Sequence, residues 1–470
     1  MKQPILTLLV AIFALSSITA QVTKTINVTS AGTLTSLLTF EEKSTITNLT
    51  VTGNINAIDF KCMRDELTVL SELNLTLSNI VSYTGSEGPI SPTSTTYPSN
   101  ELPQYSFQNK SSLKSFIYPS KISSIGSYAF KNCSGLSGVL NIPTTVISLK
   151  LGAFDNCTNI TSVIIPNSVQ IIEGCAFIRC SGLVGTLSIP KSVVWIGAYA
   201  FKNTGNSDFM VDPENQYFSS VNGVLFDKNQ TRLVKYPTNK IGTYIIPNTV
   251  TTIGISAFAS CDNLIGEVVF PNSITSIESS AFENCTKISG KINLPKSITS
   301  IADFSFSGCT SINTLIIPEK VTTIGQYAFY YCIGLKTINT QAKVPPLIYE
   351  TSFYLVFANQ VEVPIGTKNA YQTSLGWMNF SNYIEIATGI KQQIISNFKI
   401  YPNPATDYID ISGLLELTKV EVYNLSGKLF KSNKLSSESN RIDISTLPKG
   451  VYLIKGFTEG RVKVGRFVKE

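Results

Sequence analysis

Phenylalanine recurs through the middle of this chain at an almost fixed interval, and a period of that length admits few folds. The anchors are Phe107, Phe130, Phe154, Phe177, Phe201, Phe258, Phe282, Phe306, Phe329 and Phe353, usually as the second residue of an Ala-Phe pair. Successive spacings are 23, 24, 23, 24, 57, 24, 24, 23 and 24 residues, so one unit takes 23 or 24 residues and one interval carries an insertion. A second series runs in step, an apolar residue followed by proline at Ile142-Pro143, Ile165-Pro166, Ile189-Pro190, Ile246-Pro247, Phe270-Pro271, Leu294-Pro295 and Ile317-Pro318. A unit this short cannot bury its own apolar face, so neighbouring units must stack to make a core.

Within a unit, Leu187-Ser188-Ile189 alternates with period two, which predicts a short strand with Leu187 and Ile189 inward. Pro190 ends it, because proline cannot donate to a continuing ladder. The following Val-x-x-Ile-Gly and Ala-Phe stretches return the chain around the coil, with Gly126, Gly197, Gly254 and Gly325 expected at a sharp backbone turn. Ten coils at the strand spacing of about 4.8 Å predict a solenoid on the order of 50 Å long with one parallel sheet along a face. The extra residue of the 24-residue coils precedes the strand, beside Gly138, Gly185, Gly266 and Gly290, and predicts a small bulge.

Seven of nine cysteines stand three residues after an anchor: Cys133, Cys157, Cys180, Cys261, Cys285, Cys309 and Cys332. Cα atoms on stacked coils fall within disulfide range, but in-register side chains point in parallel, and cysteine is often buried as a thiol. A ladder of buried thiols is the favoured expectation and disulfides the alternative. Lys110, Thr204 and Val356 take the same place in three coils, as a packing position allows. One cysteine per coil supplies no tetrahedral metal site.

The first twenty residues carry Lys2, an apolar run from Ile5 to Leu15 and a small polar stretch, the form of a secretory signal peptide cleaved between Ala20 and Gln21. That run is too short to span a bilayer, so no transmembrane segment is expected. Charged residues make up only 14% and the net charge is +6 without a basic run, which excludes a nucleic-acid footprint. Histidine is absent, removing the commonest general base and most zinc sites. No enzyme activity, cofactor or metal is expected.

The long interval exceeds one coil by about 34 residues, and Val224 to Tyr236 reads as a hairpin across the polar turn 227–230, within an insertion near 205–240. Either a structural wing or a ligand-contacting loop fits it. Beyond Phe353 regularity decays, and residues 366–388, with Trp377 and Phe380, are read as a cap closing the open core. After a linker at 389–396, residues 397–470 change grammar. Seven short strands, at Phe398 to Tyr401, Tyr408 to Ser412, Lys419 to Asn424, Lys428 to Lys431, Arg441 to Ile444, Gly450 to Gly456 and Arg461 to Val468, predict a small β-sandwich.

The repeats of Ile-Pro, Ile-Gly and Ala-Phe-x-x-Cys over residues 100–365 resemble the BspA-type leucine-rich repeat of bacterial surface proteins. Residues 21–99 are similar to the amino-terminal region of such proteins through Ala31-Gly32-Thr33-Leu34, Thr52-Gly53-Asn54-Ile55-Asn56 and Asp59-Phe60-Lys61-Cys62-Met63-Arg64, and are taken as an amino-terminal cap. The tail resembles the type A carboxy-terminal sorting domain of the type IX secretion system. Its motifs here are Tyr401-Pro402-Asn403-Pro404, a stretch with Tyr423, Asn424, Gly427 and Lys428, then Leu447-Pro448-Lys449-Gly450-Val451-Tyr452 and a basic ending through Lys469. That resemblance implies recognition by the type IX machinery, usual removal of the domain, and release or surface attachment.

The expected fold is therefore a leucine-rich repeat solenoid followed by a small β-sandwich. Its outward strand column is Ile117, Asn141, Ile164, Ser188, Ile245, Val269, Asn293 and Ile316, uncharged and half apolar. Such a face suits broad contact with a host or bacterial surface protein or glycan, and predicts an adhesin or binding scaffold. An architectural surface or biofilm protein is the alternative. A surface hydrolase would need paired carboxylates such as Asp208, Asp212 and Glu214.

Overall fold

The computed structural model describes residues 21–387 and 399–470, apart from Ser91 and the stretches 413–418, 425–426, 435–440 and 459–460. The signal peptide through Ala20 and the 389–396 linker lie outside the described residues. The chain divides into two compact units, one ending at Glu385 and one starting at Ile386.

The first unit is the solenoid. Anchor rings stack directly on one another along it, with centroids 5.3 Å apart for Phe130–Phe154, 5.4 Å for Phe154–Phe177, 5.2 Å for Phe282–Phe306 and 5.1 Å for Phe329–Phe353. These separations follow the spacing of parallel strands. Burying each ring contributes about 1.5–3 kcal/mol, and an aromatic pair adds about 0.5–1.5 kcal/mol. The backbone reinforces the column. The anchor N–H donates to a carbonyl of the next coil, as in Phe130 to Ala153 (2.8 Å), Phe154 to Ala176 (2.9 Å) and Phe306 to Ala328 (2.8 Å). The N–H groups two residues before and after the anchor do the same, Tyr128 to Leu151 and Asn132 to Asp155, both at 2.8 Å.

The proline-terminated strands form as expected before Pro143, Pro166, Pro190, Pro295 and Pro318, but not before Pro247 and Pro271. Gly138–Asn141 pairs in parallel with Ile160–Ile164, Gly185–Ile189 with Asn206–Val211, and Gly290–Asn293 with Ile312–Ile317, followed by Thr337–Thr340. Register shifts fall at Gly138, Gly185 and Gly290, whose φ values are 76°, 73° and 81°. Gly266 (φ 85°) lies at an isolated bridge to Ile288. The bulges are real, and glycine relieves a left-handed backbone there.

Three features differ from the sequence reading. The Val-x-x-Ile stretch does more than return the chain, because its last two residues pair coil to coil in a second parallel ladder. Leu102, Ile125, Leu149, Ile172 and Ile196 succeed one another along it. Gly126, Gly197, Gly254 and Gly325 are not the sharp turns. A Cβ at Gly126 would come within 2.2 Å of the Leu102 carbonyl oxygen, and one at Gly197 within 2.3 Å of the Gly174 nitrogen. Glycine serves there to let adjacent coils approach closely. The left-handed turns lie two residues before and after the anchor, at Tyr128 (φ 55°), Asn132 (φ 59°), Ser280 (φ 56°) and Asn284 (φ 57°) among others.

The insertion is a three-stranded meander. Phe218–Val221, Val224–Asp227 and Arg232–Lys235 pair antiparallel in turn, and the last then joins Thr252–Ile253 in parallel. The meander thus enters the second ladder as a coil would. Tyr236 replaces the missing anchor, stacking on Phe258 at 5.1 Å and donating its N–H to Ala257 at 2.8 Å. Phe201 instead meets Phe209 edge to face at 5.5 Å, so the column breaks between Phe201 and Tyr236. The core divides into two clusters at the same place.

Residues 21–99 extend the main sheet, with Thr23–Val28, Asn48–Ile55, Glu72–Asn74 and Ser115–Ile117 pairing in parallel succession. Buried Asp59 fastens the loop before the 3-10 turn Leu34–Leu37, accepting N–H groups from Gly32 (2.7 Å) and Leu34 (2.9 Å). At the other end Trp377 is fully buried, donates to the Pro346 carbonyl (2.8 Å) and sits 5.7 Å from Phe353. Phe380 also packs on Phe353 at 5.7 Å. Both aromatics close the column.

The second unit holds two antiparallel sheets, one of three strands and one of four. Ile409, Ile411 and Ile442 from the first share a core with Val420, Val422, Ile454 and Phe467 from the second, the expected sandwich.

Two neighbouring glycines separate the two roles of glycine in the coil. A Cβ at Gly182 would lie 2.3 Å from the Thr158 carbonyl oxygen, whereas one at Gly185 meets nothing within 4 Å and suffers only from φ. Gly185→Ala should cost about 1–2 kcal/mol, and Gly185→Asn less, because Asn tolerates left-handed backbone. Gly182→Ala should cost more than either. Chemical denaturation of the three variants checks this ranking.

Candidate interaction face, thiol ladder and sorting module

The outward column of the main sheet is exposed where strands form. Ile117 is 50% exposed and Ile164 57%. Asn141, Ser188 and Asn293 are exposed and Ile316 is half-buried. Pairing places Asn141 beside Ile164, Ser188 beside Met210, and Asn293, Ile316 and Asn339 in sequence. Met210, also 57% exposed, was missed because its strand lacks the terminal proline that marks the others.

Ile245 and Val269 require a correction. Both are strongly exposed, but no continuous strand forms around either, and only the isolated bridges Gly242–Leu264 and Gly266–Ile288 remain. Gly242 (φ 114°) and Gly266 (φ 85°) stand at these bridges, directly after the insertion. The face is thus four separate sheets, one whose last strand holds Ile117, two of two strands holding Asn141 with Ile164 and Ser188 with Met210, and one that begins at Gly290.

Asp208, Asp212 and Glu214 have separate partners. Asp208 pairs with Lys240 (2.8 Å), Glu214 pairs with Lys191 (2.6 Å), and Asp212 accepts the Glu214 N–H (2.9 Å) as a turn residue does. Among the described residues no cluster of three or more metal-ligating side chains occurs.

All nine cysteines are free thiols. The ladder thiols donate to the carbonyl of the preceding coil's anchor, Cys157 to Phe130 and Cys180 to Phe154 at 3.0 Å, and Cys309 to Phe282 and Cys332 to Phe306 at 3.1 Å. Burial pushes Cys133, Cys180 and Cys332 up to about 12 and Cys261 up to about 11, which suppresses the reactive thiolate. Lys110, in the same slot, sends its ammonium to the carbonyls of Arg64 (2.9 Å) and Leu67, and burial brings it down to about 8. Thr204 donates to the Phe201 carbonyl at 2.9 Å. In every phenylalanine-anchored coil but the last, where Val356 stands, the slot holds a buried donor.

In the sandwich the sorting motifs converge on the last strand. The Asn403 amide donates to the Arg466 carbonyl (3.1 Å) and accepts the Val468 N–H (2.9 Å), so the Tyr401–Pro404 segment, with cis bonds before Pro402 and Pro404, is tied to the terminus. Gly450 pairs with Lys469, and Ala405 bridges to Lys469. The Tyr452 hydroxyl donates to the Pro448 carbonyl (2.8 Å), and its ring stacks on Phe467 at 5.6 Å. Gly427 (φ 82°) shapes the turn in which Asn424 accepts the Lys428 N–H at 2.9 Å.

Residues 100–229 and 235–359 match the family described as BspA type Leucine rich repeat region, in six copies, and residues 399–470 match the Secretion system C-terminal sorting domain. Such a tail directs export by type IX secretion to the cell surface or extracellular space. Among the described residues no helix is long and apolar enough to cross a membrane. No curated protein matches the chain. Among solved structures, a leucine rich cell surface protein from Faecalibacterium prausnitzii is 24% identical, covering 71% of this chain and 82% of its own, with a TM-score of 0.54. The pneumococcal vaccine antigen PcpA is 18% identical, covering 73% and 79%, with a TM-score of 0.48.

The thiol assignment gives a direct count. At pH 8 without reductant, Ellman's reagent should titrate nine thiols per chain in guanidinium and, in the native protein, at most half-buried Cys175. Fewer than nine in denaturant would establish disulfides.

Proposed function

We propose, from the premise that this chain belongs to the BspA-type leucine-rich repeat family, that it is an exported surface-binding scaffold, with a mature chain beginning at Gln21, that holds a macromolecular partner against its main sheet. The observation carrying this reading is the outward column itself, where Ile117, Ile164 and Met210 are each at least half exposed and alternate with Asn141 and Ser188. Exposed apolar side chains grouped on a regular surface are typical of interaction sites. The column from Ile117 to Asn339 carries no charge, which favours shallow contact with a protein or glycan over electrostatic capture. Both matched families are surface and secretion modules, and with each candidate carboxylate committed to its own partner the reading is non-enzymatic.

The mature chain should bind immobilised host matrix proteins, glycans or whole bacterial cells with an affinity that changes less than threefold between 50 and 500 mM salt. Ile164→Asp combined with Met210→Asp should weaken binding at least tenfold while leaving the unfolding midpoint within a few degrees of the parent. Binding that vanishes at high salt, or that the double variant leaves intact, contradicts this face. Absence of any saturable partner favours the purely architectural reading.

A further inference from the structure

Where the meander interrupts the coils, a cavity of about 470 Å³ opens beside the second ladder. On one side stands Trp195–Ile196, the last strand of the first ladder, and on the other Arg232–Lys235, which begins the next. The wall is formed largely by Trp195, Tyr199, Phe218, Val234 and Ile255. Its size lies within the range of small-molecule sites, which are mostly apolar with a few placed polar groups.

One polar group is out of keeping with the repeat. Each of the ten phenylalanine anchors is preceded by alanine or serine, because that slot is buried between coils. Before Tyr236, the anchor of the inserted coil, the slot holds Lys235, which lines the cavity and is only 4% exposed. Its ammonium donates to the carbonyl oxygens of Ser256 (3.2 Å) and Ala259 (3.3 Å), both long contacts that leave a third proton. Among the described residues no carboxylate pairs with it. The other charged wall residues are already engaged. Arg232 grips Glu278 with both terminal nitrogens, and Asp227 accepts from the Arg232 N–H (2.8 Å) and the Thr231 hydroxyl (2.6 Å). A buried cation without a counter-charge is costly. Burial lowers the basicity of Lys235 accordingly. An incoming anion would offset that cost.

We propose that this cavity binds a small amphipathic monocarboxylate, its apolar body against Trp195 and Phe218 and its carboxylate on the Lys235 ammonium. The site is separate from the outward sheet face and stands or falls independently of it. The meander then acts as the element that builds a ligand site into an otherwise uniform scaffold, and the placement of a lysine in an alanine slot is what selects for acid over alcohol.

The chain contains two tryptophans. Trp377 is fully buried while Trp195 is 60% exposed, so the red edge of the emission reports the cavity mouth. Titration of the full chain with decanoate, below its micelle concentration, should give saturable one-to-one binding by calorimetry, with a blue shift of that red-edge emission. Decanol should bind at least tenfold more weakly. Lys235→Met should abolish the preference for decanoate over decanol. Should that variant fail to fold, Trp195→Ala, at an exposed position, should reduce decanoate affinity at least fivefold by calorimetry. The proposal is overturned if decanoate does not saturate, if decanol binds equally well, or if the folded variants bind decanoate as the parent does.

Discussion

The hydrogen bond from an anchor phenylalanine N–H to the next coil's carbonyl, made directly beside the stacked rings at every anchor from Phe107 to Phe329 except Phe201, is the contact on which the rest of the solenoid depends. It fixes the distance between coils, and at that distance the rings meet at 4.7–5.8 Å, the thiols reach the preceding anchor's carbonyl, and the short strands pair in register. The left-handed residues on either side of the anchor exist to aim three alternate N–H groups along the solenoid axis. Their backbone cost, about 1–2 kcal/mol for a residue with a side chain, is offset by the bonds they allow.

Most of this was legible in the sequence where a residue type is required. Phenylalanine anchors and core cysteines each answer to one physical demand and stood where expected, as did the bulge glycines and proline-terminated strands outside the two coils that follow the insertion. The left-handed turn before the anchor was hidden because tyrosine, serine and cysteine occupy it at Tyr128, Ser280 and Cys175, whereas the one after it, with Asn109, Asn132, Asn156, Asn203 and Asn284, carried a legible signal that the spacing of the anchors overshadowed. Hydrogen bonds to the next coil hold both turns there, and no local pattern records such bonds. The second ladder was hidden because two residues are too few for a period. The first strand of the meander, Phe218–Val221, and the loss of strand around Ile245 and Val269 depend on how the meander meets its neighbours.

The candidate face follows the same division. Ile117, Asn141, Ile164, Ser188 and Asn293 were placed on the surface by alternation alone, whereas Met210 and Lys235 emerged only once the coils were stacked. Export is read from the carboxy-terminal tail, and recognition is the role proposed for the scaffold that precedes it. The insertion is the one place where the scaffold departs from repetition, and there the aromatic column breaks, the core divides and the cavity opens.

Native-state hydrogen exchange of the full chain, read by mass spectrometry, tests most directly whether the anchor contacts govern the solenoid. In a stacked array, stability is set by nearest-neighbour terms. The anchor amides of Phe130, Phe154 and Phe177 should therefore be strongly protected as one block, and those of Phe282, Phe306 and Phe329 as another, with a drop in protection across residues 202–235. Uniform protection through the insertion, or anchor amides exchanging as fast as the exposed loops, would contradict the account.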